Sequence, residues 1–226
     1  MNAERQEARD GPPGERVSIR VVGGPTAMLD IGGVRVLTDP TFSPPGSYET
    51  APGRSLTKTE APALAREDIE RVDLVLLSHD QHADNLDPAG RELLGSVTTV
   101  LSTPSAAARL GGVVQGLRLW EEAVITGREG PVLEVIAGPA RHGPPGCEAA
   151  TGEVMGFVIR GDGLPVVYVS GDNASLDAVQ AVGARFGQID LALLFAGAAR
   201  TALLDGALLT LTSRDAAAAS LALAAR

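Results

Sequence analysis

The stretch Asp73-Leu74-Val75-Leu76-Leu77-Ser78-His79-Asp80-Gln81-His82-Ala83-Asp84-Asn85-Leu86-Asp87 decides how the rest of this 226-residue chain is read. An apolar run ends abruptly in two histidines and three aspartates. A buried strand that delivers polar, metal-capable side chains at its carboxyl end is how open α/β sheets build sites. The chain has only three histidines. The third, His142, lies at another strand-to-loop junction.

Outward from this stretch, strand and helix signals alternate. Residues 62–72 read as a helix leading into a strand over 74–77. Asp87-Pro88 supplies an N-cap and a first helical residue, and Gly95 a stop. A strand over 97–101 follows. Thr103-Pro104 then repeats the start signal and Gly111-Gly112 the stop. Strand, helix, strand, helix is the pattern of a covered parallel sheet. Upstream, 17–22, 26–31 and 34–37 are β-rich, and Gly32-Gly33 closes a hairpin between the last two. Residues 41–57 are rich in proline and glycine, carry Phe42 and Tyr48, and read as one long loop: a binding loop or a surface excursion. Downstream, strands are expected over 113–119, 123–125 and 132–137, followed by a loop over 138–146. Residues 154–159 and 166–170 form a hairpin around Gly161-Asp162-Gly163. Gly171-Asp172-Asn173 caps a helix to about Phe186. An apolar strand over 189–195, a loop over 197–212 and a helix capped by Ser213 complete the chain. Two halves, each of strands followed by helices, predict two face-to-face sheets with helices outside.

Composition narrows the function classes. The formal net charge of -9 disfavours nucleic-acid and anionic-membrane partners. Cys147 is the single cysteine, which excludes an internal disulfide and a cysteine zinc cluster and points to a reducing, cytoplasmic setting. Residues 1–16, with Gly11-Pro12-Pro13-Gly14, read as a disordered lead-in without the apolar core of a secretory signal. Residues 17–226 read as one domain.

Four polar groups follow expected strands: Asp39, the cluster from His79 to Asp84, His142 and Asp172. Taken singly, each has an ordinary explanation, such as a solvated loop histidine or a capping aspartate. Together they suit zinc, or iron or manganese. Three histidines with an open position make a catalytic site, in which the metal lowers the pKa of a bound water to about 7 and yields a hydroxide nucleophile.

Several motifs recur in a common order: Gly24-Pro25-Thr26-Ala27 with the Gly32-Gly33 hairpin, Leu37-Thr38-Asp39-Pro40, Ser78-His79 to Leu86-Asp87, Pro139-Ala140-Arg141-His142-Gly143-Pro144, and Tyr168-Val169-Ser170-Gly171-Asp172. On these the chain resembles the metallo-β-lactamase-fold hydrolases, most of all the branch with L-ascorbate-6-phosphate lactonase and N-acylphosphatidylethanolamine phospholipase D. The resemblance implies an α/β fold, an αββα sandwich of two mixed sheets with outer helices and a metal site at their shared edge. The family signature is His-x-His-x-Asp-His, and here it is altered. Read back from Asp84, His82 and Asp84 fit, Asn85 replaces the final histidine, and His79 needs a one-residue bulge. Read forward from His79, Gln81 replaces the second histidine. The first register also aligns Leu86-Asp87 and is preferred.

In that register the resemblance implies a first metal site of His79, His82 and His142, with Asp172 bridging. The second site, normally Asp84, Asp172 and two further histidines, is depleted by Asn85 and by the absence of any histidine after His142. One ion is therefore expected. Asp84 becomes the general base, and Asp39 is expected to orient a ligand histidine. The resemblance also predicts a further strand after Arg226. Without it the sheet would carry an open edge that invites homo-oligomers. The expected function is hydrolysis of an ester, lactone or phosphodiester in a small-molecule substrate. The alternative is a degenerate or truncated relative with one ion or none. Phe42, Tyr48 and residues 197–212 are expected to line the pocket, and Cys147 to be a buried thiol.

Overall fold

Leu74, Val75, Leu76 and Leu77 alternate between two faces of one strand, and all four are buried. A strand buried on both faces must have a layer on each side. A computed structural model describes residues 17–51, 54–69, 71–127 and 131–225 and shows those layers. The lead-in expected over 1–16 lies outside the described residues.

The strands are β1 (Val17–Gly23), β2 (Thr26–Ile31), β3 (Val34–Thr38), β4 (Gly46–Ala51), β5 (Arg54–Lys58), β6 (Leu74–Leu76), β7 (Val100–Ser102), β8 (Val114–Gly116), β9 (Glu122–Thr126), β10 (Val132–Pro139), β11 (Met155–Arg160), β12 (Val167–Val169), β13 (Leu191–Leu193), β14 (Arg200–Thr201) and β15 (Ala207–Leu208). The helices are α1 (Pro88–Leu94), α2 (Pro104–Leu110), α3 (Glu148–Thr151), α4 (Leu176–Phe186) and α5 (Ser213–Ala222). One sheet has the order β1-β2-β3-β6-β7-β8, the other β13-β12-β11-β10-β9. In the first, β3, β6, β7 and β8 run parallel, so β3 and β6 end at the same side.

Period-two alternation sorts the apolar side chains into three cores. Leu74 and Leu76 face inward and join Leu29, Val36, Leu133, Val135, Phe157 and Val169 between the sheets. Val75 and Leu77 face outward and pack with Leu86, Leu93 and Leu94 under α1. Behind the second sheet, Ile136, Val158 and Tyr168 pack against Val179 and Val182 of α4 and Ala219 and Leu223 at the end of the chain. The αββα sandwich is present, with its largest core between the sheets. No described helix is long and apolar enough to cross a membrane.

Local expectations hold where a cap and a period coincide. Asp87 accepts from Gly90 N and Thr103 from Ala106 N, each with proline at the first helical position. Four expectations are corrected. Residues 41–57 are not one loop: β4 and β5 form a hairpin that pairs Tyr48 with Leu56. Pro52 and Gly53, between these strands in sequence, lie outside the described residues. The helix expected over 62–72 is a single 3-10 turn, Arg66–Asp68. Ala63 N instead donates to Val22 O, tying this segment to β1, and Leu64, Ile69 and Val72 pack against the outer core. The cap of α4 is Ser175, not Asp172-Asn173. The cap of α5 is Thr212, in a reciprocal capping box with Asp215, and not Ser213. Within 197–212, β14 and β15 add a short hairpin.

Candidate metal centre

Strand ends deliver the site. His79 lies just beyond β6, His142 beyond β10 and Asp172 beyond β12. The two sheets are tied together here, because Met155 N at the start of β11 donates to Ser78 O. A Cβ on Gly171 would lie 2.4 Å from Met155 O and 2.8 Å from Ser78 Cβ, so only glycine lets β12 exit this close to the first sheet. Arg141 N donates to the Asn173 side chain and Ala174 N to Arg141 O, which locks the His142 loop to the Asp172 loop.

His79, His82, His142 and Asp172 converge, each offering a ligand atom within 4.8 Å of the others. His79 Nε2 stands 2.9 Å from His82 Nδ1, and His142 Nε2 stands 3.2 Å from the same atom. Nitrogens around a tetrahedral ion with bonds of about 2.0–2.1 Å would be about 3.3 Å apart. The nearest Asp172 oxygen is 3.7 Å from His142 Nε2.

The tautomers support this set. Leu209 O, a pure acceptor, lies 2.9 Å from His142 Nδ1, so that nitrogen carries the proton and Nε2 turns a bare lone pair inward. Burial, with the neighbouring His82, pushes His142 down to about 4. Burial also drives His79 well below the usual histidine range, with the other two rings and Arg109 adding to it. His82 is lowered by burial as well, against the pull of Asp84 and Asp80. At neutral pH the rings are therefore uncharged. His82 Nδ1 can share a hydrogen bond with only one of the two facing Nε2 atoms, so at least one of these short contacts has no hydrogen bond. A cation gives the converging lone pairs a partner, and the donor set fits one.

The carboxylates follow different rules. Burial lifts Asp172 to about 7, and the charge of Asp84 adds to the shift. Burial also raises Asp39 well above the carboxylate range, reinforced by Asp172. Asp39 does not orient a histidine. Its Oδ1 accepts from Ser78 N at 2.6 Å, while Ser78 Oγ and Leu209 O hold the outer nitrogens of His79 and His142. Asp39 thus braces the backbone entering His79, from a positive φ of 32°. Burial favours the neutral form of its carboxyl, and asparagine keeps both the acceptor and tolerance of positive φ. Asp39→Asn is expected to melt within about 1 kcal/mol of the parent. Asp39→Ala, which orphans Ser78 N, is expected to lose about 2–3 kcal/mol. Urea titration of both variants checks the order.

Asp84 is exposed and lies outside the converging four. Gln81 is exposed too, whereas His82 turns in, which is the geometry of the register with the extra residue. Asn85 is fully buried beside Asp39 and Asp172, and its side-chain amide acts on both carboxyls, lowering them against the effect of burial. Phe42, expected at the pocket, is buried in the outer core, and Cys147 is a buried free thiol. Two contributors escaped the sequence. Leu209 acts through its carbonyl, which every residue possesses. Arg109 grips Asp80 through Nε at 3.0 Å and a terminal nitrogen at 2.5 Å, from the last turn of α2. A basic residue there is ordinary helix sequence.

Known proteins give a consistent picture. The chain is similar to the isothiocyanate hydrolase from Delia radicum gut bacteria, with a TM-score of 0.74 and 19% identity over 91% of this chain and 81% of that one. It is similar to Igni18, a metallo hydrolase from Ignicoccus hospitalis, with a TM-score of 0.67 and 22% identity over 92% of this chain and 79% of that one. It is also similar to CmlA, a diiron β-hydroxylase from Streptomyces venezuelae, with a TM-score of 0.64 and 18% identity over 93% of this chain and 44% of that one. At these identities the likeness is one of fold. In sequence the chain is 30% identical over 201 residues to the uncharacterized protein Rv0906 of Mycobacterium tuberculosis, over 83% of this chain and 50% of that protein. The chain therefore spans about half the length of that relative. Residues 34–226, which include the three histidines and Asp172, match the beta-lactamase superfamily domain, and the chain belongs to that family.

Proposed function

We propose that the protein is a metal-dependent hydrolase holding one ion, zinc or otherwise manganese or iron, on His79, His82, His142 and Asp172. It adds water across an ester, lactone or phosphodiester bond of a small molecule. The observation that carries this reading is the convergence of three neutral imidazoles beside a buried carboxylate. When bound, the metal supplies a Lewis acid and lowers the pKa of a coordinated water to about 7. The chain supplies the rest. Leu209 O fixes the tautomer of His142. Asp84, exposed beside the four, takes the proton of the attacking water and returns it to the leaving oxygen, so that an ester gives an acid and an alcohol. On motif grounds we place the chain in the lactonase and phospholipase D branch, acting in a reducing, cytoplasmic setting.

A second reading is a family member that keeps one ion without turnover. Asn85 favours it, because a buried amide, a poorer ligand than imidazole, stands where the resemblance expects a ligand histidine. Chelator-stripped protein should regain about one equivalent of metal, with hydrolysis of a generic ester or phosphodiester returning alongside. Asp172 titrates near 7 and His142 near 4. Between those values the stripped protein holds a proton on Asp172 that the metal must displace. Apparent affinity should therefore rise about tenfold per pH unit and level off above about 7. Calorimetry across that range reads the slope. Folded protein that takes up no metal would sink the first reading, and uptake without turnover would select the second.

A further inference from the structure

The turn His82-Ala83-Asp84 borders more than the metal centre. Beside it lies a cavity of about 430 Å³ walled by Val22 and Pro25 near the β1–β2 turn, Tyr48 and Leu56 on the β4–β5 hairpin, and Pro62 beyond it. That volume falls in the range of small-molecule sites, roughly 300–1,000 Å³. Ala83 and Asp84 form its inner wall. Ala83 and Asp84 directly follow His82 in the chain, so the cavity borders the turn that carries one of the four converging side chains. A groove of about 310 Å³ on the other face of the same turn contains His82 and Arg91, and Tyr48 lines both spaces.

The charges in the larger cavity are Lys58, Glu60 and Asp84. Lys58 is already partnered: its Nζ donates to Thr41 O at 3.1 Å and lies 3.4 Å from the buried Asp87 carboxylate. Glu60 and Asp84 are exposed acids. A phosphate or carboxylate entering here meets two negative charges against one cation that already faces a buried carboxylate. An uncharged hydrocarbon chain meets apolar walls that gain by its burial.

We propose that this cavity binds the apolar acyl chain of a neutral carboxylic ester or lactone, which makes the substrate an uncharged acyl compound rather than a phosphorylated one. The reaction rests on the hydrolase reading above; the binding does not.

The test titrates metal-stripped protein with butanamide, hexanamide and octanamide, and with octanoate as the charged counterpart. Affinity should rise roughly fourfold per added methylene. Octanoate should bind at least about tenfold more weakly than octanamide, the factor that about 1.4 kcal/mol of repulsion gives. Leu56→Asp and, separately, Tyr48→Ala should flatten the series while metal uptake and melting temperature stay at parental values. If either variant fails to fold, the parental comparison decides alone. A flat series in the folded parent, or octanoate binding as tightly as octanamide, overturns the proposal and leaves the hydrolase reading standing. An intact series in a protein that takes up no metal keeps the cavity and removes the hydrolase reading.

Discussion

His142→Ala is expected to lower metal affinity at least about a hundredfold and to abolish any metal-dependent hydrolysis. Loss of a partner that only orients a ligand already costs about 10–100-fold, and His142 is proposed as a ligand itself. The variant removes one of the two Nε2 atoms that face His82 and frees Leu209 O from its only side-chain donor among the described residues. Thermal denaturation gives the readout. At metal about a hundredfold above its Kd, the parent gains about 2.7 kcal/mol. In a chain of this length that is a rise of roughly 5–10 °C over chelator-treated protein. The variant should show no rise at the same metal concentration, and elemental analysis should find it empty. Because His142 is neutral above about 4, its loss leaves no buried charge unpaired. The metal-free variant should therefore stay folded. Retention of one equivalent by His142→Ala would remove His142 from the ligand set.

Gly90→Ala carries the second large effect, with a sign that local rules invert. In an exposed helix, alanine in place of glycine gains about 1 kcal/mol. Gly90 lies in the first turn of α1, where an added Cβ would sit 1.8 Å from Pro40 O and 2.7 Å from Pro40 C. Neither partner can yield cheaply. Asp87, capping the same turn, also accepts from Phe42 N at 3.0 Å and Ser43 N at 2.7 Å, so helix and corner are bound together. Backbone would have to move against backbone, at a cost of about 3 kcal/mol or more. That is a fall of roughly 6–12 °C in melting temperature. Pro40 follows Asp39, so metal retention should weaken alongside. A variant that melts at or above the parent would show that the approach of α1 to Pro40 is looser than described.

Both variants mark a boundary between local and long-range information. Asp87 was legible as an N-cap because a cap and its target lie three residues apart. Its grip on Phe42 N, Ser43 N and Lys58 spans 29 to 45 residues and has no local signature. The β2–β3 hairpin and the double burial of β6 were legible from turn chemistry and from an unbroken apolar run. The β4–β5 hairpin was not, since proline and glycine in 41–57 mark turns without saying whether the chain pairs around them. The helix expected over 62–72 did not form because its start is tied to β1 by a backbone bond from Ala63 N to Val22 O, a long-range contact that local pattern does not record.

The candidate site divides along the same line. The residues alone marked Asp39, the His79 to Asp84 cluster, His142 and Asp172 as polar groups at strand ends; grouping His79, His82, His142 and Asp172 and singling out Asn85 took the resemblance to the family signature. What each does relative to the others needed the fold. Asp39 holds Ser78 N rather than an imidazole, Leu209 O sets the tautomer of His142 across 67 residues, and Asp84 faces solvent outside the four. The sequence by itself determined the layer order and which polar residues follow strand ends, because strand alternation and helix caps are encoded within a few residues of each other. Only the tertiary structure decided the partners, protonation and cavity of that meeting point. These depend on distances between separate strand ends and on backbone carbonyls, which no side-chain pattern records.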